Sequence, residues 1–342
     1  MIHQWNEIQD RYSDLLILGN GASRAIHDGF AYNGLKERAT QIGAFDEGHQ
    51  RLFDRFDTSD FEYVLRKLWQ ASLVNEALEV DHLAVNEAYG RIRDALVRTV
   101  QDVHPEYAIV DQHNLIRNVY NFIRQFKTVA TLNYDLIVYW AVMYGQDLRD
   151  DCEIKDCFTV HANGGKGFYS DWEEYRSPYR SPQNHVTLVF YPHGSLSLVK
   201  RESGSDVKIS VHGQANLLDE ITDRWNNDGL IPVFVSEGRS EEKLDSIRSS
   251  PYLSTVYFEV LPQKCDSLTV YGWDFGPQDM HMLRALKKAS PDRIAISVHN
   301  SNEEFCDRAR RAVRNYISPT VDIDFFHSNS HGCWSNPLAN PG

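Results

Sequence analysis

Short apolar runs that stop on glycine or polar residues alternate along this chain with longer stretches of helical periodicity. The first run, Asp14-Leu15-Leu16-Ile17-Leu18-Gly19, is apolar without interruption and ends on glycine, which predicts a strand buried on both faces that feeds a helix. Over residues 45–126 the apolar positions instead recur at three- and four-residue spacing, as at Phe61, Val64, Leu65 and Leu68. With so little glycine or proline to break it, this stretch predicts a helical insertion. Residues 127–132 read as a strand again, followed by a helix over 135–144. Residues 152–210 mix strand-like pieces with a polar loop over 163–184 that carries glycine, proline and aromatic residues. Beyond it, residues 233–235, 267–271 and 293–298 read as strands, separated by helical stretches at 241–249 and 280–288. Such alternation predicts an α/β Rossmann-type fold, a parallel sheet with helices on both faces, forming a single domain over residues 1–327. The polar tail, 328–342, is expected to be loose.

Charge narrows the function classes. The 342 residues carry 35 basic and 48 acidic side chains, a formal charge of −13, which disfavours direct nucleic-acid binding by the isolated chain. Five cysteines, an odd number without a secretion signal, suggest reduced thiols. The longest apolar run, 136–144, is far shorter than the ~20 residues a membrane span needs. A soluble, cytoplasmic protein is the expectation.

Three strand-end motifs carry the candidate chemistry. Gly19-Asn20-Gly21-Ala22-Ser23 follows the first predicted strand and opens a helix, the setting in which backbone amides approach a diphosphate. Arg24 stands where a third glycine is usual, and a glycine turn without any ligand fits equally well. Gly164-Gly165-Lys166-Gly167 lacks the Ser or Thr of a P-loop. Asn133-Tyr134-Asp135 ends another strand, where ligands bind in open α/β sheets, although both side chains also suit a helix cap. Tyr191-Pro192-His193-Gly194-Ser195 ends a third, and His212-Gly213 offers a second histidine in a similar setting. Cys152, Cys157 and His161 form the only metal-like spacing; with no fourth ligand in a strand-like stretch they read as packing, so no metal is expected.

Taken in order from Asp14 to Asn300, these motifs resemble the sirtuin superfamily, in particular its bacterial sirtuin-like NAD hydrolases, many of them linked to anti-phage defence. Gly19 to Ser23 looks like the family's Gly-Ala-Gly-x-Ser phosphate loop with Asn20 for alanine, and Asn133 with Asp135 looks like its Asn-x-Asp pair. His193-Gly194-Ser195 is similar to the segment that bears the catalytic histidine, which favours His193 over His212. Gly272-Trp273-Asp274-Phe275, running on to Asp279, looks like the late strand end that supports the dinucleotide, and Asn300 resembles the Asn near the adenosine ribose. No Cys-x-x-Cys pair is present, so the zinc module of the deacylases is missing and deacylation is disfavoured. Phe30-x-Tyr32-x-x-Leu35 and Asp60-Phe61-Glu62 also look like a pattern of uncharacterised sirtuin-like proteins, and read as helix packing with solvated charges.

The resemblance implies an NAD+ glycohydrolase that releases nicotinamide and ADP-ribose, with NAD+ as substrate. Asn133 would orient a water or the ribose hydroxyls, since an amide both donates and accepts. His193 would serve as general base near neutral pH, and Asp135 would orient the site or offset developing positive charge. Gly19, Asn20, Gly21, Ser23, Gly272 and Trp273 would hold the dinucleotide, with Asn300 at the adenosine ribose. A non-catalytic NAD+ or ADP-ribose sensor uses the same loops. A nuclease effector is disfavoured by the net acidity and the lack of a carboxylate-metal motif. Because unregulated NAD+ hydrolysis would harm the cell, a homo-oligomer or a partner such as a HerA-type ATPase is expected to control it.

Overall fold

The computed structural model describes residues 1–30, 34–160, 166–200, 205–209, 217–227, 230–235 and 240–337. Thirteen strands occur among them: β1 Ile2–His3, β2 Leu15–Leu18, β3 Thr128–Thr131, β4 Cys152–Lys155, β5 Phe158–Val160, β6 Lys166–Phe168, β7 His185–Phe190, β8 Gly194–Lys200, β9 Asp206–Lys208, β10 Ile231–Phe234, β11 Ser267–Tyr271, β12 Arg293–Val298 and β13 Asp322–His327. Eight form one sheet in the order β1-β13-β12-β11-β2-β3-β7-β4. Every pairing in it is parallel. Successive side chains on a strand point to opposite faces, so burial of all four residues of β2 and of β3 means that both faces of the sheet centre are covered. This is the α/β architecture that the alternating pattern predicts.

Register sets where the site can form. Leu18 of β2 lies opposite Thr131 of β3 and Tyr271 of β11, and Ala130 of β3 lies opposite Phe190 of β7. Four strands therefore end at one edge, and the loops after them, which begin at Gly19, Leu132, Tyr191 and Gly272, leave the sheet side by side.

The helical layer contains Leu35–Gln41, Glu47–Arg55, Phe61–Ala77, Leu83–Val103, Tyr107–Val110 and Leu115–Ile123. It thus starts somewhat before residue 45. Asp60 begins Phe61–Ala77 by accepting hydrogen bonds from the backbone N–H groups of Glu62 and Tyr63. Phe61 packs edge-on against Phe45 and Phe53.

Three expectations need correction, and one strand is added. Residues 233–235 do not extend the parallel sheet: β10 pairs antiparallel with β8 in a second, five-stranded sheet ordered β10-β8-β9-β6-β5. An apolar run carries no information about the direction of its partner. Secondly, the end of the chain is not loose as far as it is described, because Cys333 and Trp334 are buried and the Trp334 indole N–H donates to the Ala22 carbonyl at 2.8 Å. One tryptophan in a polar stretch has no periodicity to reveal it. The sheet also gains β13, which inserts between β12 and β1. Finally, the charges of Asp60-Phe61-Glu62 are not solvated: Asp60 is 2% and Glu62 7% exposed, beside a small cavity of about 80 Å3 that Glu62 and Arg66 line. Among the described residues no helix is long and apolar enough to cross a membrane.

Burial pushes the Glu62 carboxyl up, opposed by Arg66 and reinforced by its neighbour Asp60. An acid raised in the folded state holds its proton more tightly there than in the unfolded chain. Its ionisation is therefore a penalty at high pH that fades as pH falls through the folded value, and the gain is complete below the unfolded value of about 4.3. Glu62→Gln has no proton to lose. The stability difference between wild type and Glu62→Gln, read from urea titrations, is expected to move in favour of wild type on acidification, by up to about 1.4 kcal/mol per pH unit. A difference that is flat with pH would show that Glu62 does not titrate in this way.

Candidate functional site

The four strand-end loops enclose a cleft of about 580 Å3. Gly19, Asn20, Gly21, Asn133, Asp135, His193, Gly272 and Trp273 all line it, together with Arg24, Lys243 and Asp279. Two residues of the sequence-derived set do not. Ser23 is buried behind the loop, and Asn300 is exposed past the end of β12, in left-handed backbone with φ 51°. His212, His161, Tyr32 and the pair Gly164-Gly165 lie outside the described residues.

The glycines hold two loops against each other. The Gly21 N–H donates to the Gly272 carbonyl at 2.7 Å, and the Gly19 N–H donates to the Tyr271 carbonyl at 2.9 Å. A Cβ on Gly21 would stand 2.8 Å from the Gly272 oxygen, and one on Gly272, whose φ is +69°, would stand 2.3 Å from the Ala22 nitrogen. The second glycine of the motif thus serves loop-to-loop contact, and its amide is not aimed at a ligand. The helix it opens, Asn20–Arg24, is only five residues long. The cleft wall carries the cations Arg24 and Lys243 and the carboxyl groups of Asp135, Asp274 and Asp279, with Lys243 paired to Asp279 at 2.9 Å.

Behind this loop runs a polar chain. The Asn133 side-chain amide donates to the Gly19 carbonyl at 2.9 Å and to Ser23 Oγ at 2.8 Å. Ser23 Oγ donates in turn to Asp135 Oδ2, whose other oxygen accepts the Ile137 N–H at 2.9 Å at the start of helix Ile137–Leu148. Burial pushes the Asp135 carboxyl up, while the bonds from Ser23 and Ile137 pull it back. Asp135 therefore anchors a helix start and Ser23. Both side-chain hydrogen bonds of Asn133 use Nδ2, which leaves Oδ1 as the acceptor it can offer to a ligand.

His193 stands at the turn where the chain leaves the parallel sheet and enters the antiparallel one. The next residue, Gly194, has φ +75°, and a Cβ there would fall 2.1 Å from the Val233 carbonyl, so the turn requires glycine. His193 is 2% exposed, and its Nε2 lies 2.9 Å from His281 Nε2. The ring centres are 5.1 Å apart, beyond the nitrogen separation by about twice the ring's own radius, so the two nitrogens meet nearly head-on. One of them carries the proton of an N–H···N bond. Burial first, then Lys243, hold His193 well below the ordinary histidine value, and burial lowers His281 to about 4, so both rings are neutral near pH 7. Ser240 Oγ lies 3.3 Å from His281 Nδ1. Beside the pair, Asp279 accepts from Lys243 Nζ at 2.9 Å and from the Trp273 indole N–H at 3.3 Å.

His193, Asp279 and His281 offer donor atoms that all lie within 4.8 Å of one another. Spacing along the sequence hid this cluster, because β7 supplies one member and the segment after β11 the other two. The compact Asp279-Met280-His281 was the available signal. The cysteines do not join it: all five are free thiols, and Cys152 Sγ sits 3.7 Å from Thr187 Oγ1 within the sheet.

A family model described as a domain of unknown function, DUF4917, matches residues 16–334. The chain belongs to the DUF4917 family. No curated protein matches it. Among solved structures, one described as "Structural Basis for the Mechanism and Regulation of Sir2 Enzymes" is similar to this DUF4917 chain at 12% identity and a TM-score of 0.33, over 86% of this chain and 83% of that one. The family match takes in all four cleft loops and Trp334.

The loop contact yields a direct test. Gly272→Ala places a methyl group against rigid backbone at positive φ, two costs of about 1–3 kcal/mol each. It is expected to lower the urea-derived stability by about 3 kcal/mol, and a change below about 0.5 kcal/mol would show that the two loops do not depend on this contact.

Proposed function

We propose that the strand-end cleft binds NAD+ and that the chain hydrolyses its nicotinamide–ribose bond, releasing nicotinamide and ADP-ribose. The observation that carries this reading is the convergence of Asn133, His193 and the Gly19-Asn20-Gly21 loop on one cleft of about 580 Å3. Arg24 in its wall suits a ligand with a negatively charged diphosphate, while Lys243 is already paired with Asp279. The motif order that resembles NAD hydrolases supports the same reading.

The bond between the ribose C1′ and the nicotinamide nitrogen breaks with its electron pair going to nicotinamide, which leaves neutral. The ribose becomes cation-like, and a water oxygen forms the new bond at C1′. Asn133 Oδ1 accepts a hydrogen bond from that water or from a ribose hydroxyl and so fixes its approach. His193, neutral, takes the proton once the hydroxyl has displaced His281 from Nε2. Control by self-association or by a HerA-type ATPase, in anti-phage defence, belongs to this proposal, since free hydrolysis would drain the cell of NAD+. The contact that occupies His193 Nε2 favours a second reading, a sensor that binds NAD+ or ADP-ribose without turning it over.

Mass spectrometry of NAD+ incubated with the purified chain separates the two. Nicotinamide release is expected, with His193→Ala and Asn133→Ala each lowering the rate by ~10²–10⁴ while NAD+ binding persists. The double variant should fall short of the product of the two losses, because both groups act on one transition state. His212→Ala should keep its activity. Saturable NAD+ binding with no nicotinamide under any condition would establish the sensor reading instead.

A further inference from the structure

We infer that His193, His281 and Asp279 form a binding site for a single divalent transition-metal ion, of the zinc and cobalt class, in the wall of the cleft. Two imidazoles and one carboxylate are a donor set for such ions, and three protein donors leave a coordination position open. The donors come from two separate segments, yet all lie within 4.8 Å. His193 and Asp279 also line the cleft, so the open position faces a route for water or ligand.

The surrounding partners argue for a site rather than a chance cluster. Metal-binding histidines almost always engage their other nitrogen with a protein group, and ligating carboxylates are themselves hydrogen-bonded. Here His281 Nδ1 has Ser240 Oγ at 3.3 Å, and Asp279 has the Trp273 indole at 3.3 Å and Lys243. Nitrogen donors bind at about 2.0–2.1 Å and carboxylate oxygens at about 2.0–2.2 Å, so the carboxylate must swing inward by about 1 Å. The proton in the bond between the rings must also move. With His281 carrying it on Nε2, loading shifts that proton to Nδ1, and Ser240 Oγ turns from donor to acceptor. Both Nε2 lone pairs are then free for the ion, and no proton is lost. Lys243 opposes binding, because its ammonium already lies 2.9 Å from Asp279 Oδ1.

The site stands independently of the hydrolase reading; only its effect on turnover rests on that reading. One Nε2 cannot serve as ligand and base together, so loading suppresses the nicotinamide release assigned to His193.

Titrating the tag-free, chelator-treated full chain with CoCl2, by calorimetry and visible spectroscopy, tests this. One Co2+ per chain is expected, with ligand-field bands but no sulfur-to-cobalt charge transfer. His281→Gln and Asp279→Asn, checked for folding by circular dichroism, should weaken binding at least ~100-fold. Lys243→Met, which removes the competing charge, should tighten it by about tenfold. If either ligand variant fails to fold, the Lys243→Met result decides. No uptake by the wild-type chain, a thiolate charge-transfer band, unchanged affinity in a folded ligand variant, or no tightening in Lys243→Met would each overturn the site. Binding is read without NAD+, so a chain that never releases nicotinamide can still confirm it, and an active chain that takes up no cobalt refutes it.

Discussion

The peptide of Gly272 and the turn at Gly21 press together with only the room that two glycines leave, and this contact fixes the geometry of the cleft. The Gly21 N–H to Gly272 carbonyl bond, at 2.7 Å, ties the loop after β2 to the loop after β11. A typical hydrogen bond contributes about 1 kcal/mol net, too little to hold two loops by itself. The contact persists because β2 and β11 are already in register up to Leu18 and Tyr271, so the loops emerge side by side. Trp334 then closes the back of the turn through the Ala22 carbonyl. Two residues that line the cleft follow from this pair: Asn133 hangs on the Gly19 carbonyl, and Trp273, next to Gly272, reaches Asp279.

A second constraint acts at Gly194. The chain ends β7 in a parallel sheet and begins β8 in an antiparallel one within four residues, and His193 lies inside that turn. Such a position cannot move without moving both sheets. Not every buried polar group around it is partnered: Tyr191 Oη, two residues earlier, is buried without a hydrogen bond, a cost of about 1–3 kcal/mol that the turn carries. On the central strand β9 of the antiparallel sheet, the buried Lys208 ammonium is paired with Asp156 and lies 3.8 Å from the Tyr139 ring centre.

The inner strands β2, β3, β11 and β12 were legible because burial on both faces writes an apolar run, as in Leu15–Leu18, whereas the less buried β1 and β13 were not. The helical layer was legible because a face of Phe61, Val64, Leu65 and Leu68 repeats with the helix. The convergence of Gly21, Asn133 and His193 followed from their shared position at strand ends. What stayed hidden needed a partner distant in sequence. Glu62 looked like a solvated charge on a helix, and only the packing of neighbouring segments over it shows otherwise. His281 looked like one more polar residue on a helix until β7 brought His193 to it. Likewise β10 reads as apolar whichever sheet accepts it.

His193 is the residue whose geometry and proposed role pull in different directions. Its Nε2 is engaged with His281, so the ring must exchange that partner before it can take a proton from a hydroxyl. Losing a neutral hydrogen bond costs about 1 kcal/mol, and a bound hydroxyl replaces most of that. A positioned base contributes ~10²–10⁴ in rate, which is about 3–5 kcal/mol of barrier. The exchange is therefore small against what it enables, and the buried contact does not disqualify His193 as the base. Its depressed proton affinity acts in the other direction, since a base that holds a proton weakly gains less from taking it. Neutrality near pH 7 nevertheless keeps every molecule in the reactive form, and the low-lying ring favours a step in which the proton moves on quickly rather than resting on histidine. His281 can take up that proton at Nε2 only after its own proton has passed from Nε2 to Nδ1, where Ser240 Oγ stands 3.3 Å away.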